Sequence, residues 1–202
     1  MARKGTVQMV LGALMILAAA ALTCWNLSQA SHAQSASAHV ARKLSDIREE
    51  APAPAQTESS QTADPAWLPG MEMPVTSVDG RDYLGMLRIA QLELELPVAA
   101  QWSYPVLKEV PCRYKGSAYD ADLILMAHNY DSHFGRIRQL RPGDAVTFED
   151  AAGNIFSYQV ADLEELPGTA VEAMEAGQWD LTLFTCTYGG QSRIAVRCLA
   201  AE

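Results

Sequence analysis

The segment "TLFTCTYGGQSRIAVRC" at residues 182–198 has a cysteine at the end of one apolar run, a glycine pair, and two arginines on the next apolar run. Two short runs that flank a glycine turn are typical of a β-hairpin. Counting outward from Gly189-Gly190 sets Cys186 directly opposite Arg193, where cross-strand Cβ atoms lie about 5 Å apart. The segment therefore predicts a thiol beside a guanidinium on one face of a sheet.

The period of a strand assigns the remaining side chains of this hairpin to faces. Arg197 shares the face of Arg193 and pairs with Thr182, about 13 Å along the strand from Arg193. We therefore expect Arg193 to act beside Cys186, and replacement of Arg197 by lysine to be mild. The opposite face is the predicted core side, with Leu181, Leu183, Ile194, Val196 and Cys198.

Short strands dominate the second half of the chain and predict a small β-barrel. Five further segments are rich in β-branched or aromatic residues and bounded by turn residues: 85–89, 92–98, 122–128, 145–150 and 155–163. Two segments predict short helices, "HFGRIRQL" at 133–140 and "AVEAMEAG" at 170–177, where Gly177 suits a helix end.

The N-terminus predicts a membrane anchor. Residues 1–5 carry Arg3 and Lys4, and Thr6–Leu27 is uncharged and about as long as a spanning helix. The cationic flank predicts a cytosolic segment 1–5, a transmembrane anchor 6–27, and an extracellular remainder. A cleaved signal peptide is the alternative, because "ASHAQSASA" offers small-residue cleavage sites.

Composition predicts that residues 28–80 form an extracellular linker and that 81–202 form one small folded domain. The linker is rich in Ala, Ser, Gln, Pro and Thr, which cannot bury enough apolar surface to fold alone, although 38–50 has the pattern of a short solvated helix. Residues 1–43 hold four of the 15 basic residues and no acidic residue, which leaves 11 basic against 24 acidic residues. This balance excludes a nucleic-acid binder.

Three roles are open for Cys186. A structural thiol or disulfide is the first, and Cys112 with Cys198 is a possible pair because Cys198 faces away from Cys186. A zinc site of His128, His133, Cys186 and Cys198 is the second, and the diverging cysteines and absent CxxC pair disfavour it. The third is a nucleophile, which needs a cationic neighbour and a proton acceptor.

Two histidines compete for the acceptor role. His128 ends the apolar strand "DLILMAH", whereas His133 lies among the turn residues of "NYDSHFG". We expect His128 to enter the barrel and act as the acid–base group, and His133 to support the loop.

The pattern resembles the sortases, the membrane-anchored cysteine transpeptidases of Gram-positive bacterial surfaces. "TLFTC" matches the TLxTC strand of that family, Arg193 in "RIAV" matches its arginine, and His128 in "LILMAHN" matches its histidine. The resemblance covers about residues 81–198 together with the anchor. It implies an eight-stranded sortase barrel after an N-terminal transmembrane helix and a disordered linker.

The resemblance also implies a function. Cys186 would cleave an LPXTG-like sorting signal of a secreted surface protein through a thioester, with His128 as acid–base group and Arg193 holding the oxyanion. The acyl group would pass to an amine of a cell-wall precursor or a pilin, and no metal or organic cofactor is required. The "HNYDSHFGRIRQL" run is similar to class B or D members. Two alternatives are a non-enzymatic tethered binding domain and an L,D-transpeptidase, whose SxGC stretch is missing here.

Overall fold

The structure is a computed structural model that describes residues 2–50 and 69–201. Its helices are α1 Ala2–Glu50, α2 Tyr104–Leu107 and α3 Val171–Glu175, with 3-10 turns at Ala90–Leu92 and Ile137–Gln139. Its strands are β1 Thr76–Val78, β2 Arg81–Ile89, β3 Leu94–Ala99, β4 Cys112–Lys115, β5 Leu123–Met126, β6 Ala145–Asp150, β7 Ile155–Pro167, β8 Leu181–Cys186 and β9 Ser192–Ala200.

Eight of these strands close into a barrel. They follow one another in the order β2-β3-β4-β5-β8-β9-β7-β6, and β6 pairs with β2 to complete the circle. Most neighbours are antiparallel, while β3–β4 and β5–β8 are parallel. The short β1 adds to β2 outside the circle. The predicted eight-stranded barrel is confirmed, and closure removes the exposed sheet edges that promote aggregation.

The barrel interior is filled by the side chains that strand alternation assigned to it. Leu181, Leu183, Val196 and Cys198 are fully buried in the main core, and Ile194 packs against it. All seven predicted strands are present, whereas β1 and β4 were not predicted. β4 is the sequence "CRYK", which is too short and too charged to signal a strand.

Of the two predicted short helices, only one forms. Val171–Glu175 is helical, and Gly177 follows its end with φ +106°. The segment 133–140 is not an α-helix: residues 133–136 form turns, and the 3-10 helix Ile137–Gln139 follows them. Residues 133–135 instead belong to the tight loop that follows His128.

Helix α1 corrects the predicted linker. It does not end at Leu27 but continues to Glu50, so residues 28–50 are helical, and 51–68 lie outside the described residues. Extending an existing helix avoids the cost of nucleation, and the alanines of this segment favour helix. Val7–Glu49 is long and apolar enough to include a membrane span. The anchor and the domain boundaries stay predictions.

The second half of α1 packs on the barrel through small side chains. Ala33, Ser37 and Val40 are buried, at the spacing of one helix face. Val40 belongs to a core cluster with Val78, Tyr83 and other barrel residues. Lys43 forms an ion pair with Asp79 at the outer margin of the contact, with Nζ 2.6 Å from Oδ1. The segment expected to be a free tether is therefore part of the folded domain.

This docking can be tested with two matched aspartates. Val40→Asp should release residues 29–50 from the barrel, because an unpaired carboxylate is costly to bury. Ala38→Asp adds the same charge on the exposed side of the same turn and should leave the helix docked. Hydrogen exchange of the full chain in detergent micelles measures the effect. Equal protection of 29–50 in both variants would contradict the packing described.

Candidate active site

The β8–β9 hairpin brings Cys186 and Arg193 together as predicted. The two residues are register partners, as are Thr182 and Arg197. Gly189 and Gly190, at the tip, have φ values of +89° and +72°, a backbone conformation that favours glycine. Cys186 is the last residue of β8 and is partly exposed, while the four residues before it are buried.

His128 reaches the same end of the barrel because β5 lies parallel to β8. Met126 is the register partner of Phe184. Beyond it the Ala127 N–H donates to the Phe184 carbonyl (3.2 Å), and the Thr185 hydroxyl donates to the Ala127 carbonyl (2.8 Å). His128 and Cys186 thus come directly after these bonds on neighbouring strands, which lie about 4.8 Å apart in a sheet.

Arg193 is held at the hairpin tip with part of its guanidinium uncommitted. Its Nη1 donates to the carbonyls of Gly190 (2.9 Å) and Ser192 (3.0 Å). In the part of the chain that the structure describes, no carboxylate pairs with Arg193, and its Nε and Nη2 have no hydrogen-bond partner. A cation fixed in this way can bind the carbonyl oxygen or carboxylate of a peptide.

Arg197 has the opposite environment. It is fully buried beneath α3, and its Nε donates to the Glu164 carboxylate at 2.5 Å. Its two terminal nitrogens donate to the Thr182 hydroxyl and to the carbonyls of Ala173 and Met174. Arg197 is therefore a structural residue, and its contacts lead us to expect that replacement by lysine costs stability rather than being mild.

The two arginines should respond differently to the same change. Arg197→Lys leaves buried acceptors without donors, because an ammonium cannot reproduce the planar fork, and should cost about 2–4 kcal/mol of unfolding free energy. Arg193→Lys should leave stability within about 0.5 kcal/mol, as is usual for partly exposed positions, and lower turnover about 10²-fold or more. Chemical denaturation and a peptide-cleavage assay measure the two effects. The opposite ranking of stabilities would contradict the roles assigned.

His128 is half-buried and stacks on Tyr130. The ring centroids are 5.0 Å apart with 26° between the planes. Burial, with a smaller contribution from the nearby Lys108 ammonium, lowers the pKa of His128 below its usual 6.5. At neutral pH the imidazole is therefore mainly neutral, the form that accepts a proton. The stacking of Tyr130 on His128 was not predicted from the sequence, although an aromatic residue two positions after a histidine could have indicated it.

His133 is fully buried and contacts the N-terminal helix rather than Cys186. Its Nε2 lies 3.2 Å from the Ser37 hydroxyl, and its Nδ1 has no hydrogen-bond partner among the described residues. Burial, followed by the proximity of His128, lowers the pKa of His133 to about 4. The placement fits the predicted supporting role.

The pKa of His133 predicts a loss of stability in mild acid. The unfolded chain binds a proton near pH 6.5, whereas folded His133 stays neutral to about pH 4, so its contribution is complete above 6.5 and falls as pH drops to about 4. Between pH 7 and 5 the loss should be about 2 kcal/mol. We expect His133→Gln to remove this part of the pH dependence in denaturant titrations of the full chain. An unchanged dependence would show that His133 does not titrate in this way.

The four cysteines are all free, so the possible Cys112–Cys198 disulfide is not present. Burial raises the pKa of Cys112 and that of Cys198 to about 12, which makes both thiols unreactive. The zinc alternative also fails, since no group of three ligating side chains that could hold a metal occurs within the described residues. Cys186 is left as the partly exposed thiol of the barrel.

A cavity of about 530 Å³ lies away from these residues, between α1 and the β2–β6 side of the barrel. Its lining includes Leu44, Arg48, Met86 and Glu149, and none of the predicted site residues. Closer to Cys186, the guanidinium of Arg138 lies 5.4 Å from the ring centroid of the exposed Tyr188. This contact joins the loop after β5 to the β8–β9 turn and was not predicted.

Fold and site together define a class of protein: a closed eight-stranded barrel that carries a thiol, an imidazole and a guanidinium at one end. A family model described as the Sortase domain matches residues 87–201, more than half of the chain. The chain therefore belongs to the sortase family, whose members are transpeptidases. This membership disfavours the L,D-transpeptidase alternative.

Solved structures agree on the fold. Sortase C1 from Streptococcus agalactiae is 25% identical, with a TM-score of 0.54 over 62% of this chain and 71% of that one. A Clostridium perfringens sortase D5 transpeptidase is 18% identical, with a TM-score of 0.52 over 60% and 80%. Sortase C from C. perfringens with the C-terminal cell wall sorting motif is 22% identical, with a TM-score of 0.53 over 60% and 71%. No curated protein matches the chain. The resemblance to class B or D stays a prediction.

Proposed function

We propose that this sortase is a cysteine transpeptidase that cleaves an LPXTG-like sorting signal and transfers the surface protein to an amine. The observation that carries the proposal is the pairing of Cys186 with Arg193 across the hairpin, with His128 following the neighbouring parallel strand. Of the described residues in the barrel, these three combine partial exposure with the chemistry of acyl transfer.

The acylation step uses all three side chains. Neutral His128 takes the proton of the Cys186 thiol, and the thiolate attacks the threonine carbonyl of the substrate while Arg193 stabilises the oxygen that becomes negatively charged. The tetrahedral intermediate collapses as the C–N bond breaks, and protonated His128 gives its proton to the departing glycine amine. The products are a thioester on Cys186 and neutral His128.

The second step reverses the direction of proton transfer. An amine from a cell-wall precursor or a pilin lysine attacks the thioester, and His128 accepts the proton of that amine. The new amide forms as the Cys186 thiolate leaves, and return of the proton from His128 to this thiolate restores the starting state. Water in place of the amine would give hydrolysis. The half-buried His128 and its stack on Tyr130 favour the neutral imidazole that this step needs.

The N-terminal helix supports a membrane location for this reaction. Its apolar half is exposed in the structure, as a lipid-facing helix is, and Arg3 and Lys4 precede it. We therefore propose a single-pass protein with its catalytic domain outside the membrane, where sorting signals of secreted proteins arrive.

The nucleophile is tested by mass spectrometry of the protein with an LPXTG-type peptide. The wild type should carry an acyl adduct on Cys186, and Cys186→Ala should carry none and keep its fold, because the site is partly exposed. His128→Ala should retain the thiol and lose about 10²–10⁴-fold in rate. Cys198→Ala is the matched control, in which the adduct on Cys186 should persist. An adduct on Cys112 or Cys198, or turnover without Cys186, would refute the assignment of the nucleophile. The absence of both adduct and turnover in the wild type would favour a tethered binding domain.

A further inference from the structure

A row of side-chain contacts connects helix α1 to His128. Ser37, on the buried face of the helix, lies 3.2 Å from the Nε2 of His133. The His133 ring is 5.7 Å from the ring of Tyr130, and Tyr130 stacks on His128 at 5.0 Å. The N-terminal helix is thus three contacts away from the group proposed to move the proton.

The hydrogen bonds of Ser37 define which nitrogen of His133 carries the proton. The hydroxyl lies 2.8 Å from the Glu109 carbonyl, and a carbonyl only accepts, so the single hydroxyl proton goes to Glu109. The Ser37 oxygen must then accept from the Nε2–H of His133. Ser37 therefore holds His133 in one tautomer and one orientation, and ties it to the end of α2.

The loop between the two histidines transmits this constraint because it is tightly wound. The Phe134 N–H donates to the His128 carbonyl (3.1 Å), and the N–H groups of His133 and Gly135 both donate to the Tyr130 carbonyl (2.9 Å). A Cβ at Gly135 would lie 2.5 Å from the Asn129 carbonyl oxygen, so the two ends of the turn pack closely against each other there. A shift of His133 therefore shifts Tyr130 and the backbone of His128.

We propose that Ser37 and His133 are positioning residues for His128, so that the docked N-terminal helix forms part of the catalytic apparatus. The inference rests on the proposed function, in which His128 carries the proton. It assigns a role to the segment 29–50 beyond that of a tether. Without the hydroxyl of Ser37, the buried Nε2–H of His133 loses this acceptor and the imidazole loses the contact that orients it, so the ring that packs against Tyr130 is less firmly held.

The groups around His128 and His133 determine how the pKa of His128 should respond when these contacts are loosened. His128 faces Tyr130, His133 and the Lys108 ammonium, and lies on the same barrel end as Cys186 and Arg193. His133 faces Ser37, His128, and the carbonyls of Ala33 and Glu109. Burial is the main cause of the low pKa of His128, so a loosened stack admits water and should raise that pKa toward 6.5.

The test compares two serines of the same helix in the full chain in detergent micelles. Ser37→Ala should lower kcat for an LPXTG-type peptide about tenfold with little change in KM, as expected for a small misplacement of an acid–base group. NMR titration of ring-labelled histidines should show the pKa of His128 moving upward. Ser35→Ala removes a hydroxyl from an exposed position of the same helix and should change neither kcat nor the pKa of His128. Ser37→Thr keeps a hydroxyl at position 37 and should restore the wild-type kcat and the wild-type pKa of His128.

A second pair of variants covers the case in which Ser37→Ala fails to fold. Tyr130→Phe keeps the stacked ring and should match the wild type, whereas Tyr130→Leu should reproduce the loss of kcat and the rise in the pKa of His128. Wild-type kcat and His128 pKa in both Ser37→Ala and Tyr130→Leu would overturn the inference and leave the proposed function standing. Full activity of His128→Ala would instead overturn the proposed function itself.

Discussion

The hydrogen-bonded register of β5, β8 and β9 is the constraint on which the site depends. Side chains alternate between the faces of a strand, so a slip of one residue in β8 would turn Cys186 into the core and Leu183 out of it. The fully buried Leu181, Leu183 and Val196 oppose such a slip, because each would lose its apolar environment. Core packing inside the barrel therefore fixes the alignment of the proposed site side chains at the end of the barrel.

Arg193 and Arg197 have identical side chains, but their environments give Arg197 a structural role and leave Arg193 available for the proposed function. They lie on the same face of β9, four residues apart, and both pair with residues of β8. Arg197 is covered by α3 and its donors are satisfied by Glu164, Thr182 and two carbonyls. Arg193 lies beyond that cover, where its Nη1 donates to the carbonyls of Gly190 and Ser192 and its other donors have no hydrogen-bond partner among the described residues.

The continuous N-terminal helix gives this sortase a direct connection between its apolar segment and its barrel. Ser37 is ten residues beyond Leu27, which is about 15 Å along a helix. If the apolar half spans the membrane as proposed, the barrel is held close to the bilayer surface. A rigid helix would fix the height of the site above the bilayer, whereas a flexible tether would leave that height variable.

The sequence alone determined the barrel class, the hairpin register and the three proposed site residues, because these follow from local patterns. Strand alternation, a glycine turn and residue counting need no knowledge of distant contacts. Only the tertiary structure decided the roles of Arg197, His133 and residues 28–50. Each depends on what packs against it: α3 covers Arg197, α1 reaches His133 through Ser37, and Ala33, Ser37 and Val40 become a docking face because the barrel presents a matching surface. The composition of residues 28–50 indicates a segment that cannot fold alone, which holds for an isolated peptide. In the folded protein the barrel supplies the buried surface that the isolated peptide lacks.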